Sequence, residues 1–301
     1  MGKKRTFTTL AAASVAAAFA VAPAAAADGT PEIRSAQNCA FGGTWVVTGN
    51  WDGVGGDGIG IVVAAGGVLN WYLRDAPNGG QADYVFSYGL SSDRPVVGNW
   101  DGIGGDGPGI VRPVKVSESF SDWQWHLRNA PTAGGTANYV FTYGRATVDG
   151  AIAYVPVTGN WDGVGGDGPG VAGGNASGYK AWHLRNGPSG GNPDYSFTYG
   201  LATDRPLSGN WDGAGGDSPG VRRTTSDGQI WWHERNTTTS GPADIVFNYG
   251  TSQDCTVVGN WDGIGGDGPG VVRVNPQTGR LQWHLRNANN PGPAEAVFDY
   301  S

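Results

Sequence analysis

Gly-Asn-Trp-Asp-Gly-Val-Gly-Gly-Asp-Gly, residues 49–58, decides the fold because it returns four more times along the chain. Its tryptophan stands at Trp51, Trp100, Trp161, Trp211 and Trp261, at intervals of 49, 61, 50 and 50 residues. Two further landmarks recur in the same order. One is an aromatic-basic pentad: Trp71-Tyr72-Leu73-Arg74-Asp75, Trp125-His126-Leu127-Arg128-Asn129, Trp182-His183-Leu184-Arg185-Asn186, Trp232-His233-Glu234-Arg235-Asn236 and Trp283-His284-Leu285-Arg286-Asn287. The other is Phe-x-Tyr, at Phe86/Tyr88, Phe141/Tyr143, Phe197/Tyr199, Phe247/Tyr249 and Phe298/Tyr300. Ten of the 13 tryptophans fill just two repeat positions, a regularity that marks an internal repeat.

Each unit breaks into four short extended runs separated by Gly, Pro, Asn and Asp clusters, with no 3.6-residue period. In the last unit the expected strands are 256–261, 270–273, 281–286 and 296–300. Four antiparallel strands per forty to fifty residues is the pattern of a propeller blade. The expected fold is therefore all-β: a five-bladed β-propeller with repeats at about 44–90, 91–150, 151–201, 202–251 and 252–301. Extra residues at 117–121 and 149–154 lengthen the second interval and read as loop insertions.

The units resemble the FG-GAP/VCBS-type repeat of bacterial secreted proteins, related to the blades of integrin α subunits. The resemblance rests on Tyr88-Gly89 and on Pro95-Val-Val-Gly-Asn-Trp-Asp-Gly followed by Gly-Gly-Asp-Gly-Pro-Gly-Ile110, and it spans about residues 44–301. It implies a propeller with a cation-binding hairpin between the first two strands of each blade. The corresponding positions are Asn50, Asp52 and Asp57; Asn99, Asp101 and Asp106; Asn160, Asp162 and Asp167; Asn210, Asp212 and Asp217; Asn260, Asp262 and Asp267. The family's first carboxylate is an amide here, and its middle ligand is Val54, Ile103, Val164, Ala214 or Ile264. Two carboxylates per loop predict weak Ca²⁺ sites or plain turns, since Ca²⁺ takes six to eight oxygens.

Two readings of the pentad stay open. In a strand, Trp and Leu share one face while His and Arg share the other. Trp71, Trp125, Trp182, Trp232 and Trp283 can pack between blades, with Arg74, Arg128, Arg185, Arg235 and Arg286 paired to an Asp of a neighbouring hairpin. Alternatively, these residues with His126, His183, His233 and His284 form a ligand patch repeated around the ring, suited to a multivalent glycan. Glu234 stands where the other pentads have Leu, which predicts that this position is not deeply buried in every blade.

Residues 1–27 read as a secretory signal: Lys3, Lys4 and Arg5, an Ala/Val/Phe stretch, then a small-residue run ending at Ala27. That segment carries three of the 19 basic residues and none of the 26 acidic ones, so the remainder holds 16 against 26, a charge of −10. Such a balance disfavours nucleic acid and anionic lipid as partners. No second apolar segment offers a membrane span. Residues 28–43 form an N-terminal segment that holds Cys39. Cys39 and Cys255 lie in similar contexts, Ala-Gln-Asn-Cys and Ser-Gln-Asp-Cys, and in a closed ring the first and last blades are neighbours. The expectation is a clasping disulfide in an exported protein, worth roughly 4–5 kcal/mol by loop entropy.

No nucleophile elbow, HExxH or P-loop is present. Glu118 and Asp122 are acids outside the repeat with no evident partner. The expected function is a secreted, non-catalytic binding propeller for carbohydrate or cell-wall glycan. An extracellular protein-interaction propeller and a polysaccharide hydrolase are the alternatives.

Overall fold

The computed structural model describes residues 40–301. The signal segment and Cys39 lie outside them. Five antiparallel sheets follow one another along the chain, and each is built from consecutive strands. Blade 1 comprises β2 (Thr44–Gly49), β3 (Gly58–Ala65), β4 (Val68–Arg74) and β5 (Tyr84–Leu90), with the short β1 (Ala40–Phe41) beside β2. Blade 2 is β6 (Arg94–Gly98), β7 (Gly107–Lys115), β8 (Phe120–Leu127) and β9 (Tyr139–Val148), with β10 (Ala151–Ile152) on its outer edge. Blade 3 is β11 (Val155–Gly159), β12 (Gly168–Gly174), β13 (Tyr179–Leu184) and β14 (Tyr195–Leu201). Blade 4 is β15 (Arg205–Gly209), β16 (Ser218–Thr224), β17 (Gln229–Glu234) and β18 (Ile245–Thr251). Blade 5 is β19 (Cys255–Gly259), β20 (Gly268–Val274), β21 (Leu281–Leu285) and β22 (Ala296–Asp299). The first strands touch in the cycle β2, β6, β11, β15, β19 and back to β2, so they line the axis and the ring is closed. The chain is the expected five-bladed β-propeller.

Strand positions match the sequence pattern to within two residues at each end of blade 5. The extra residues of blade 2 are only partly loop. Phe120 and Ser121 extend β8, and residues 151–152 add the short outer strand. No helix among the described residues is long and apolar enough to cross a membrane.

The core lies between blades rather than within them. Trp71, Trp125, Trp182, Trp232 and Trp283 are fully buried. Each lies nearly parallel to the Phe of the adjacent fourth strand, with ring centroids 5.9–6.5 Å apart. Each indole N–H donates to the carbonyl of the following Tyr at 2.8–3.2 Å, so the only polar atom of the ring is satisfied. The next blade closes over this surface with an aliphatic residue of its second strand: Ile110, Val171, Val221, Val271 or Ile61. The glycine directly before that residue, Gly60, Gly109, Gly170, Gly220 or Gly270, exists for space. A Cβ on Gly109 would lie 2.7 Å from both Leu127 and Val96 and 3.2 Å from the indole of Trp100. Small residues here let the hairpin tryptophan and the pentad leucine meet over the sheet.

One expectation is corrected. Glu234 is as buried as Leu73, Leu127, Leu184 and Leu285, so the pentad's third position is core in every blade. Strand alternation fixes where the side chain points, and the carboxyl has no hydrogen-bond partner. Burial pushes its pKa up to about 9, with Asp267 adding to the rise, so it is held as the neutral acid at pH 7. Because this folded-state value lies above the unfolded one, the carboxyl opposes folding increasingly as pH rises from about 4.5 towards 9. Glu234→Leu, which restores the residue of the other four blades, is expected to raise unfolding free energy by about 1–3 kcal/mol at pH 7 in urea titrations. An unchanged or lowered midpoint would show that the carboxyl has a stabilising partner.

Candidate functional site

The hairpin between the first two strands of each blade is the most constrained segment of the molecule. It begins with an Asx turn. Oδ1 of Asp52, Asp101, Asp162, Asp212 and Asp262 accepts the backbone N–H two residues on, at 2.9–3.1 Å. The Asn before the Trp turns its amide inward: Nδ2 of Asn50, Asn99, Asn160, Asn210 and Asn260 donates to the carbonyl five residues on. The last Asp of the motif reaches across to the preceding blade. Its Oδ2 accepts the backbone N–H of that blade's Asn at 2.7–2.8 Å, pairing Asp106 with Asn50, Asp167 with Asn99, Asp217 with Asn160, Asp267 with Asn210 and Asp57 with Asn260. Its own backbone N–H returns to the same Asn carbonyl at 2.6–2.7 Å. Ten hydrogen bonds thus run around the axis, and the Asp57–Asn260 pair closes the circle between the last blade and the first.

The three positions of each loop that resemble a cation site therefore have separate duties: a turn, an internal amide bond and a link between blades. The described residues contain no group of three acidic, His or Cys side chains placed to share a metal ion. Oxygens that could face a hard cation do remain. Oδ1 of Asn50, Asn160, Asn210 and Asn260 is buried without a donor, as is Oδ1 of the pentad residues Asp75, Asn129, Asn186, Asn236 and Asn287.

The five linking aspartates line an axial cavity of about 270 Å³ together with Thr48, Thr158 and Ser208. Those hydroxyls donate to carbonyls of the preceding blade's first strand at 2.7–2.8 Å. Burial raises all five carboxyls, to about 7 for Asp57 and Asp106 and well above the ordinary range for Asp167 and Asp267. Ring neighbours add to the rise for Asp57, Asp106, Asp167 and Asp267. No cation among the described residues offsets them.

The pentad divides by strand face. Its tryptophans are core residues with both ring faces covered. Its arginines fold back into the loop between the third and fourth strands. Arg74 donates to Asn78 and to the Gln81 carbonyl, Arg185 to Ser189 and Asn192, Arg235 to Thr239 and Pro242, and Arg286 to Asn290 and Pro293. Arg128 bonds Thr132 and stacks on the neighbouring blade's Tyr88 at 5.1 Å. The partner is the arginine's own loop, not an Asp of a neighbouring hairpin, because the loop's carbonyls converge where the strand ends. The histidines lie on the strand face opposite the tryptophans and are half-buried, and burial lowers the pKa of each.

A groove opens where His126 meets the preceding blade. Between blades 1 and 2 it has a volume of about 450 Å³. Ile110, His126 and Val140 lie side by side across neighbouring strands of blade 2, Leu90 comes from blade 1, and Arg112, His126 and Thr136 supply polar groups. Strand register places an apolar or small partner beside the same position of every blade: Tyr72 by Val85, His126 by Val140, His183 by Ser196, His233 by Val246 and His284 by Val297. A second device at these junctions was not recognised in the sequence. Asp93, Asp204 and Asp254 are buried, cap the turn leaving the fourth strand, and pair with Arg112, Arg223 and Arg273 of the following blade's second strand at 2.6–2.7 Å. The recurring Asp-Arg-Pro at 93–95 and 204–206 was its signal. Glu118 and Asp122, unassigned by sequence, pair with Lys115 and Arg145 at 2.9 and 2.8 Å.

No family model, curated protein or solved structure matches the chain.

The carboxylate ring predicts an inverted pH response. Folded-state pKa values near 7 against an unfolded value of 3.8 mean that the folded ring keeps protons the unfolded chain has lost. The stability this gives is full below about pH 4 and is lost as pH rises towards 7. Asp106→Asn keeps an acceptor for Asn50 and removes one charge. It is expected to raise Tm at pH 8 by about 2–4 °C, the response of such a domain to roughly 1 kcal/mol, and to leave Tm at pH 4 unchanged. Equal losses at both pH values would show that the carboxylate is needed as an anion.

Proposed function

We propose that this propeller is a non-catalytic, multivalent binding protein whose inter-blade grooves take sugar residues of an extracellular or cell-wall glycan. The groove between blades 1 and 2, at a position whose strand pairing recurs in every blade, is the observation that carries the reading. A monosaccharide presents an apolar C–H face and a rim of hydroxyls. The groove offers Leu90 and Val140 to the first, and His126, Arg112 and Thr136 to the second. The histidines are neutral at pH 7, so each ring nitrogen pair is one donor and one acceptor. Repetition around a rigid ring converts weak single sites into avidity on a polymeric surface. The acids of the repeat support a non-catalytic role, since they are committed to turns, blade links and Arg pairs.

The reading includes export through residues 1–27 and a Cys39–Cys255 clasp. Cys255 is fully buried in the cluster against which Phe41, two residues after Cys39, packs. The kinship with FG-GAP/VCBS-type repeats is part of the same proposal and rests on the repeat's motifs alone.

A glycan array tests the site. Wild-type protein is expected to bind a restricted set of glycans, and His126→Ala/His183→Ala/His233→Ala/His284→Ala to lose at least about tenfold in apparent affinity at unchanged Tm. Silence across a broad array, or undiminished binding by the variant, would sink the proposal. A non-reducing peptide map of the same sample is expected to contain a Cys39–Cys255 cross-linked peptide.

A further inference from the structure

The tips of the five hairpins carry aliphatic side chains that no turn requires. Val54, Ile103, Val164 and Ile264 are 74–78% exposed, and Ala214 occupies the fifth tip. Each lies between two glycines in the left-handed region, such as Gly53 and Gly55 at φ 75°. The turn uses only the tip's backbone N–H, which donates to the hairpin's own Asp. Its side chain makes no contribution to the fold, and a polar residue would be better solvated. Yet four of the five tips are Val or Ile.

These tips do not stand alone. Neighbouring hairpins pack backbone to backbone: a Cβ on Gly53 would lie 2.7 Å from Gly104, and one on Gly263 would lie 2.8 Å from Gly56. A Cβ on Gly55, Gly104, Gly165, Gly215 or Gly265, beside each tip, would meet nothing within 4 Å. The result is a rigid circle of aliphatic anchors around one mouth of the axial cavity, facing outward. Apolar groups collected on one rigid face mark an interaction surface where scattered ones would not.

Charge selects the occupant. Asp52, Asp162, Asp212 and Asp262 are exposed beside the tips, Asp101 is half-buried there, and no hairpin contains Lys or Arg. A second copy meeting this face, or an anionic bilayer, would bring like charges together. We propose that the hairpin face docks a protein segment that presents apolar side chains bordered by lysine or arginine, one segment per ring. This surface is distinct from the grooves at the blade junctions.

The test uses the full chain and a synthetic amphipathic Leu/Lys peptide, followed by calorimetry. The peptide is expected to bind at one per chain. Affinity should fall about tenfold or more in Val54→Ser/Ile103→Ser/Val164→Ser/Ile264→Ser, and oligolysine of equal charge should bind as weakly as the variant does. The substitutions are at exposed tips, and an unchanged Tm verifies that the ring persists. The groove variant lacking the four histidines should bind the peptide like wild type. Equal affinity of the peptide for wild type and the tip variant, or no binding, would overturn the proposal. Binding of wild type to phosphatidylcholine vesicles that the tip variant loses would assign the tips to a membrane surface and overturn it equally.

Discussion

The paired hydrogen bonds between Asn and Asp of successive hairpins are the constraint on which the rest of the ring depends. Each Asp is gripped twice by its neighbour's Asn, through a carboxylate and through a backbone N–H. Among the described residues every blade is made from its own consecutive strands, and no exchanged strand holds the circle shut. Closure falls to the Asp57–Asn260 pair, to Thr48 reaching the Val258 carbonyl, and to the apolar cluster shared by blades 5 and 1. The same bonds carry a cost. They bring five carboxyls to one axial cavity with no cation among the described residues opposite, so the device that joins the blades also raises their pKa values.

Space is the second constraint. Hairpins meet so closely that the glycines at the contact, such as Gly53 and Gly56, admit no Cβ, and the glycine at the third position of each second strand lets the hairpin Trp pack over the sheet. Core formation at blade junctions then leaves the outward face of the third strand free. Its tryptophans go to the interior, its arginines lock the adjoining loop, and only the histidines and their cross-strand neighbours remain to shape a groove. Function, on this account, is displaced from the most conspicuous residues of the repeat to those beside them.

The repeat period, the turn residues and the two-residue alternation made the architecture legible in the sequence: five units of four strands each. Alternation also showed that Trp and Leu share a face, but not that this face is buried in all blades. Glu234 misled because a charged residue argues for exposure, whereas its strand and its neighbours place it inside regardless. The aspartates of the hairpin were visible as a motif and their duty was not. A link between blades depends on which loops become neighbours in the closed ring, which local spacing does not record. The junction groove was illegible for the same reason, since its walls come from two units.

Amide hydrogen exchange at the ring of hairpins tests the account most directly. The backbone N–H groups of Asn50, Asn99, Asn160, Asn210 and Asn260, and of the five aspartates they face, should be protected to a similar degree and lose protection together, as members of one closed cooperative unit. Fast exchange confined to Asn260 and Asp57, with the other pairs protected, would mean that the first and last blades are not joined and that the ring is open.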